Sequence, residues 1–94
     1  MKKWQVLISE SARKDFYSLG NEMQKRIKKA FDALAENPFR PRSGADILKL
    51  KGSFNPILYR IRVGDYRMIY SIFEDSVKIT RILHRSKAYE WLGN

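Results

Sequence analysis

The sequence predicts an α+β domain: an N-terminal strand and an αα-hairpin, then an antiparallel β-meander with the helices on one face and a short C-terminal helical turn. Apolar residues recur at helical spacing before residue 37 and at alternate positions after residue 47. Between these stretches, residues 37–46 (NPFRPRSGAD) carry two prolines and a glycine with no periodicity, so they read as the connection. Gly64-Asp65 and Glu74-Asp75 break the later apolar runs at two-residue intervals, as hairpin turns do.

Trp4 to Ile8 opens the fold as a strand, with Trp4, Val6 and Ile8 at alternate positions. Its backbone must join the meander at some edge. Ser9 is the expected N-cap of a first helix, Glu10 complements the first-turn dipole, and Ala12, Phe16 and Leu19 mark its buried face, with Gly20 at the C′ position. Asn21 and Gln24 have capping-box spacing, and Met23, Ile27, Ala30, Phe31 and Leu34 trace one face of a longer helix ending near Asn37-Pro38. The meander follows as Ile47–Lys51, Ile57–Val63, Tyr66–Phe73 and Val77–Leu83, with an additional break over Gly52–Pro56. Ser86 is expected to cap a last turn or two through Tyr89 and Trp91.

A chain of 94 residues is expected to form one domain, residues 1–94. Nineteen Lys and Arg against ten Asp and Glu leave a net charge of +9, which makes a polyanion the expected partner and places nucleic acid ahead of an acidic membrane. No cysteine is present and His84 is the single histidine, so thiol nucleophiles, Cys-based zinc sites and His clusters are excluded; neither metal nor cofactor is expected. The five-residue apolar run in MKKWQVLI is too short for a signal or a membrane span, and a soluble cytoplasmic protein is expected.

A two-residue turn at Gly64-Asp65 pairs Val63 with Tyr66, Arg62 with Arg67, Ile61 with Met68 and Arg60 with Ile69. One face then carries Ile57, Tyr59, Ile61, Val63, Tyr66, Met68, Tyr70 and Ile72 for the helices, with Val77 and Ile79 joining them. The other, uncovered face carries Arg60, Arg62 and Arg67, and continued pairing through Glu74-Asp75 adds Lys78, Thr80, Ile82 and His84. Like charges directly across a ladder are destabilising, so Arg62 opposite Arg67 has no rationale in stability. A bound phosphate supplies one, because a guanidinium offers a planar fork of donors matched to phosphate oxygens. Lys25, Arg26, Lys28 and Lys29 form a second basic run on the long helix, open to reading as a solvated face or as a contact with a second nucleic-acid strand. Tyr89, beside His84, Arg85 and Lys87, is placed to stack on an RNA base, whereas Trp91, Trp4 and Phe31 are read as packing.

The run KLKGSFNPILYRIRVGDYRMIYSI and the later ILHRSKAY resemble the RelE/ParE toxin superfamily, with its K-L-x-G turn, Y-R-I-R strand, G-D-Y-R hairpin and H-R-x-x-A-Y close. The resemblance spans nearly the whole chain and implies a type II toxin–antitoxin toxin. Members similar to RelE cut mRNA in the ribosomal A site without metal, the ribose 2′-OH attacking the adjacent phosphorus; members similar to ParE act on DNA gyrase without chemistry on RNA. A basic RNA-binding domain without toxicity is a third reading. The resemblance assigns Arg60 and Arg62 to the basic strand positions, Arg67 to the hairpin arginine, Lys51 to the residue before the turn glycine and Tyr89 to the terminal tyrosine. Arg85 or His84 falls at the last catalytic basic position, and Lys49, Lys51, Lys78 and Lys87 are expected to contact RNA.

Some relatives have lysines where this chain has Arg60 and Arg62. A guanidinium is a poor proton donor or acceptor near neutrality, so these arginines are expected to stabilise charge. Proton transfer then falls to His84 or Tyr89, with His84 preferred because imidazole titrates nearest neutrality. The other reading of His84 is that it bonds a strand end or caps the final helix. A cognate antitoxin, acidic and encoded adjacently, is the expected protein partner, with oligomers forming through it.

Overall fold

The alternating stretches pair as a five-stranded sheet in the order β1-β5-β4-β3-β2. The computed structural model describes residues 3–52 and 55–92, so Ser53 and Phe54 of the expected Gly52–Pro56 break lie outside the described residues. The elements are β1 (Gln5–Ile8), α1 (Glu10–Tyr17), α2 (Asn21–Glu36), β2 (Asp46–Lys49), β3 (Tyr59–Val63), β4 (Tyr66–Phe73), β5 (Ser76–His84) and α3 (Arg85–Trp91). This is the expected α+β architecture. The strand β1 docks parallel to β5 at one edge, while β2 to β5 are antiparallel neighbours.

The αα-hairpin forms with different caps from those expected. Ser9 does cap α1, its Oγ accepting from Ala12 N at 3.0 Å. Gly20, however, is not the left-handed residue closing α1; it adopts extended backbone as the N-cap of α2, and Asn21 is already helical. Gln24 therefore builds no capping box. Its Nε2 instead donates to the carbonyls of Phe16 (3.2 Å) and Leu19 (3.0 Å), tying α2 to the carbonyl end of α1. At the other end of α2, Arg42 donates to Ala33 O at 2.8 Å and Asn37 O at 3.1 Å, a cation supplied to a helix C-terminus from the following loop.

Ala12, Phe16, Ile27, Ala30 and Leu34 bury against Ile61, Met68, Tyr70, Val77 and Ile79, the face predicted from the hairpin register. Each large aliphatic side chain buried there contributes about 1.5–3 kcal/mol. The one buried phenol, Tyr70, stacks on Tyr59 and donates to Pro38 O at 2.7 Å, so its polar end is satisfied.

The β3–β4 hairpin has the expected register, with Arg62 opposite Arg67 and Val63 opposite Tyr66 around Gly64 at φ 60°. Between β4 and β5 the expected register fails at a β-bulge: Tyr70 pairs with Ile79, but Ile69 pairs with Arg81. The extra residue moves Ile82 into the core opposite Met68 and sets His84 opposite Tyr66, so neither lies on the arginine face. Lys78, before the bulge, keeps its expected side, opposite Ser71.

The second sheet face is not fully uncovered either. Ile69 and Leu83 are buried on it, and α3 lies across β4 and β5 with Ala88 buried. A central strand with apolar residues facing both ways needs cover on both sides, and α3 supplies it. His84, rather than Ser86, is the N-cap of α3: its Nδ1 accepts from Ser86 N at 3.4 Å and lies 3.1 Å from Ser86 Oγ.

Candidate functional site

Where α3 leaves the sheet, Arg60, Arg62 and Arg67 meet Tyr89 in a groove of about 260 Å³, with Leu48, Leu50, Ile69 and Leu92 among its apolar walls. Alternation along β3 puts Arg60 and Arg62 on one face, and the tight Gly64-Asp65 turn brings Arg67 beside them. Tyr89 arrives from α3, one residue after the buried Ala88, and is 57% exposed. Its ring is therefore available to a ligand as well as to the groove.

The arginines are unequally neutralised. Asp46, on β2 directly opposite Arg62, gives one carboxylate oxygen to Arg62 Nε at 2.9 Å and the other to Arg60 NH1 at 3.2 Å; its backbone carbonyl also accepts from Arg60 NH1 at 2.8 Å. The Arg60 hydrogen bond and the two positive charges hold the Asp46 carboxyl below its ordinary range, against the upward push of burial. Arg67 makes no ion pair among the described residues. Its NH1 donates to the carbonyls of Gly64 (3.2 Å) and Tyr66 (3.1 Å), fixing the side chain without balancing its charge. Burial, then the charges of Arg60 and Arg62, push its pKa down; Arg85 adds to that push and Tyr89 opposes it. The groove thus holds a positioned guanidinium in a positive field, the chemistry of an anion site.

His84 does not line this groove. The bulge turns it toward Tyr66, whose ring it meets edge-on at 5.5 Å, and its Nδ1 is engaged at the start of α3. Asp46, the carboxylate partner of two groove arginines, is the site residue that sequence reasoning missed. The signal was present, because Asp46 lies two residues before Leu48 in the same alternation, but the segment 37–46 reads as connection until its pairing with β3 is known.

A family model described as the ParE toxin of the type II toxin–antitoxin system parDE matches residues 6–89. The chain belongs to the RelE/ParE toxin superfamily. It is 33% identical over 86 residues to Toxin RelE3 of Methanocaldococcus jannaschii, covering 92% of this chain and 96% of that one. Among solved structures, the RelE–RelB complex of Pyrococcus horikoshii aligns with a TM-score of 0.75 and 33% identity, covering 93% of this chain and 99% of that one. The RelB–RelE complex of Methanococcus jannaschii aligns at 0.72 and 32% identity, over 90% and 96% of the two chains. This protein is accordingly a RelE-like toxin of a type II system.

The remaining expected RNA contacts of this RelE-like toxin are spread around the groove. Lys49 and Lys51 line a neighbouring hollow that shares Leu50 with it. Lys87 lines a third, beside Arg81 and Trp91, and Lys78 lies on β5 with its ammonium 5.0 Å from the centre of the Phe73 ring. Arg85 opens α3, its N–H donating to Asp65 O at 2.8 Å, and its charge reaches Arg67. Among the described residues no group of three or more His, Asp or Glu is placed to hold a metal, and no helix is long and apolar enough to cross a membrane.

Proposed function

We propose that the toxin is a ribosome-dependent mRNA endoribonuclease acting in the A site, with Arg67 as the principal ligand of the scissile phosphate. The observation that carries this reading is the fixed guanidinium of Arg67, without an ion pair among the described residues, in a groove whose other two arginines share one carboxylate. In the reaction the ribose 2′-oxygen attacks the adjacent phosphorus and loses its proton, the bond to the 5′-oxygen breaks, and that oxygen gains a proton. The products are a 2′,3′-cyclic phosphate and a 5′-hydroxyl. Negative charge grows on the phosphoryl oxygens as the new bond forms, and Arg67, with Arg60 and Arg62, is arranged to stabilise it.

Arginines hold charge rather than move protons, and His84 is committed to α3, so the groove is strong in electrostatics and weak in acid–base groups. Such a site depends on its substrate arriving already aligned, because orientation alone supplies several kcal/mol of the barrier. The ribosomal A site, in the cytoplasm, provides that alignment. The test is to add the toxin to ribosomes programmed with a defined mRNA, and to the same mRNA free, and to map both new ends. Cuts within the A-site codon bearing a cyclic phosphate, absent from free RNA, are expected; intact mRNA from a preparation that arrests growth refutes the nuclease reading.

The ParE description of the matching family model favours one alternative, a noncatalytic inhibitor of DNA gyrase. That alternative predicts DNA damage, with toxicity indifferent to Tyr89. Under the nuclease reading Tyr89 stacks on a substrate base, an interaction worth about 1–3 kcal/mol. Tyr89→Ala is then expected to lower A-site cleavage about 5- to 150-fold and Tyr89→Phe to stay near wild type, both read by single-turnover cleavage on programmed ribosomes. Equal losses in both variants would reassign the tyrosine to proton transfer through its hydroxyl.

The relatives crystallised with RelB support a cognate antitoxin for this chain too. A net charge of +9 favours an acidic binding segment, captured at rates that fall with salt.

A further inference from the structure

Behind the sheet edge formed by β2 and β3, α2 leaves a cleft of about 360 Å³ floored by Ala30, Ala45 and Val63. Its walls carry Arg26, Lys29, Arg42 and Arg62 against the single carboxylate of Asp46. The basic run on α2 is thereby divided by the fold. Lys28 places its ammonium 6.0 Å from the centre of the Phe16 ring, whereas Arg26 and Lys29 line the cleft.

The four cations differ in what they have left to offer. Arg42 spends its fork on carbonyls at the end of α2, and Arg62 gives its Nε to Asp46. Arg26 and Lys29 are exposed and make no ion pair or side-chain hydrogen bond among the described residues. Arg26 is nevertheless placed by the fold: a Cβ at Gly64 would come within 2.9 Å of its NH1 and 3.1 Å of its NH2, so the guanidinium lies against the bare backbone of the β3–β4 turn. The carbonyl of that same glycine accepts from Arg67 NH1. One turn therefore carries a guanidinium of the groove on one side and a guanidinium of the cleft on the other, and Arg62 lines both concavities.

We propose that the cleft is a second phosphate site, in which Arg26 and Lys29 hold a backbone phosphodiester of an RNA whose chain continues into the Arg67 groove. The RNA identity of this ligand rests on the nuclease reading. A polymer with a phosphate at every residue is the ligand that uses two concavities sharing a wall, and the fork of Arg26 matches phosphate oxygens.

The test measures binding separately from cleavage. A short labelled single-stranded RNA is titrated with the wild-type chain, Arg26→Ala/Lys29→Ala and Arg67→Ala by fluorescence anisotropy across a salt series. Both α2 positions are exposed, and unchanged circular dichroism and urea midpoint confirm folding. Arg26→Ala/Lys29→Ala is expected to weaken RNA about tenfold and to make the slope of log K against log salt shallower by about 0.7, as for one lost single-strand phosphate contact. An affinity and slope equal to wild type overturn the proposal. It is equally overturned if inorganic phosphate or an acidic peptide needs Arg26 and Lys29 while RNA does not, which makes the cleft a small-anion or protein site. RNA binding that depends on Arg26 and Lys29 in a protein that cuts no mRNA on ribosomes would keep the cleft and refute the nuclease reading.

Discussion

Replacing Arg67 with alanine is expected to lower A-site cleavage by about 10²–10³-fold while leaving the protein at least as stable as wild type. The two halves of this result come from the same geometry. Arg67 lies directly across the ladder from Arg62, its pKa pushed down by burial and then by the neighbouring arginines, and among the described residues it has no carboxylate to offset them. Removing it relieves repulsion at the cost of two hydrogen bonds to backbone carbonyls, those of Gly64 and Tyr66. Arg60 behaves differently, because Arg60→Ala also abandons the Asp46 contacts that tie β3 to β2. Arg67→Lys keeps the charge but loses the fork, and is expected to fall between wild type and alanine. The measurements are single-turnover cleavage on programmed ribosomes and the urea midpoint of the same preparations. Full cleavage by Arg67→Ala removes Arg67 from the phosphate site; a large loss of stability reassigns it to the fold.

The parts of this site legible in the sequence are those set by local rules. A two-residue turn and strict alternation determine the Arg62–Arg67 pairing, and the β3–β4 register agrees with that reading at every pair. What was not legible depends on distant chain. The bulge that turns Ile82 and His84 away from the arginines lies where β5 runs beyond the end of β1, a length mismatch between strands about 70 residues apart in sequence. Asp46 became the partner of Arg60 and Arg62 only through its pairing with β3 across the Gly52–Pro56 break. Gly20 and Asn21 carried cap signals for either helix of the hairpin, and Gln24 chose between them by bonding to carbonyls of the preceding turn. The cover given by α3 was foreshadowed by Ile69, an apolar residue on the same face of β4 as Arg67.

Asp15→Ala is expected to destabilise the fold by about 2–4 kcal/mol at neutral pH, with most of that difference vanishing in strong acid. Pairing of β1 with β5 ends at Ile8 and Ile79, leaving the next stretch of β5 without a neighbouring strand on that side. Helix α1 takes the strand's place. Its N-cap Ser9 donates through Oγ to Thr80 O at 2.9 Å, and Asp15 accepts from Ile82 N at 2.9 Å and from Arg81 Nε and NH2 at 2.8 and 2.9 Å. Burial pushes the Asp15 carboxyl up, but the Arg81 hydrogen bonds, the Ile82 N–H and the Arg81 charge together outweigh it, leaving the pKa below the ordinary 3.8. A carboxyl whose folded pKa is depressed contributes stability above its unfolded pKa and loses it as pH falls through the folded value. Urea midpoints of wild type and Asp15→Ala should therefore be far apart at neutral pH and draw together in acid, as the pH falls below the ordinary carboxylate range and through the depressed folded pKa of Asp15. Asp15→Asn, which keeps an acceptor for Ile82 N but not the charge, should lie between them at neutral pH. A gap between wild type and Asp15→Ala that persists unchanged into acid would show that packing, not the carboxylate, holds α1 to β5. Because β5 runs from this contact through Leu83 into α3, cleavage measured on the same variants reports whether the clasp at Asp15 also positions Tyr89 over the groove.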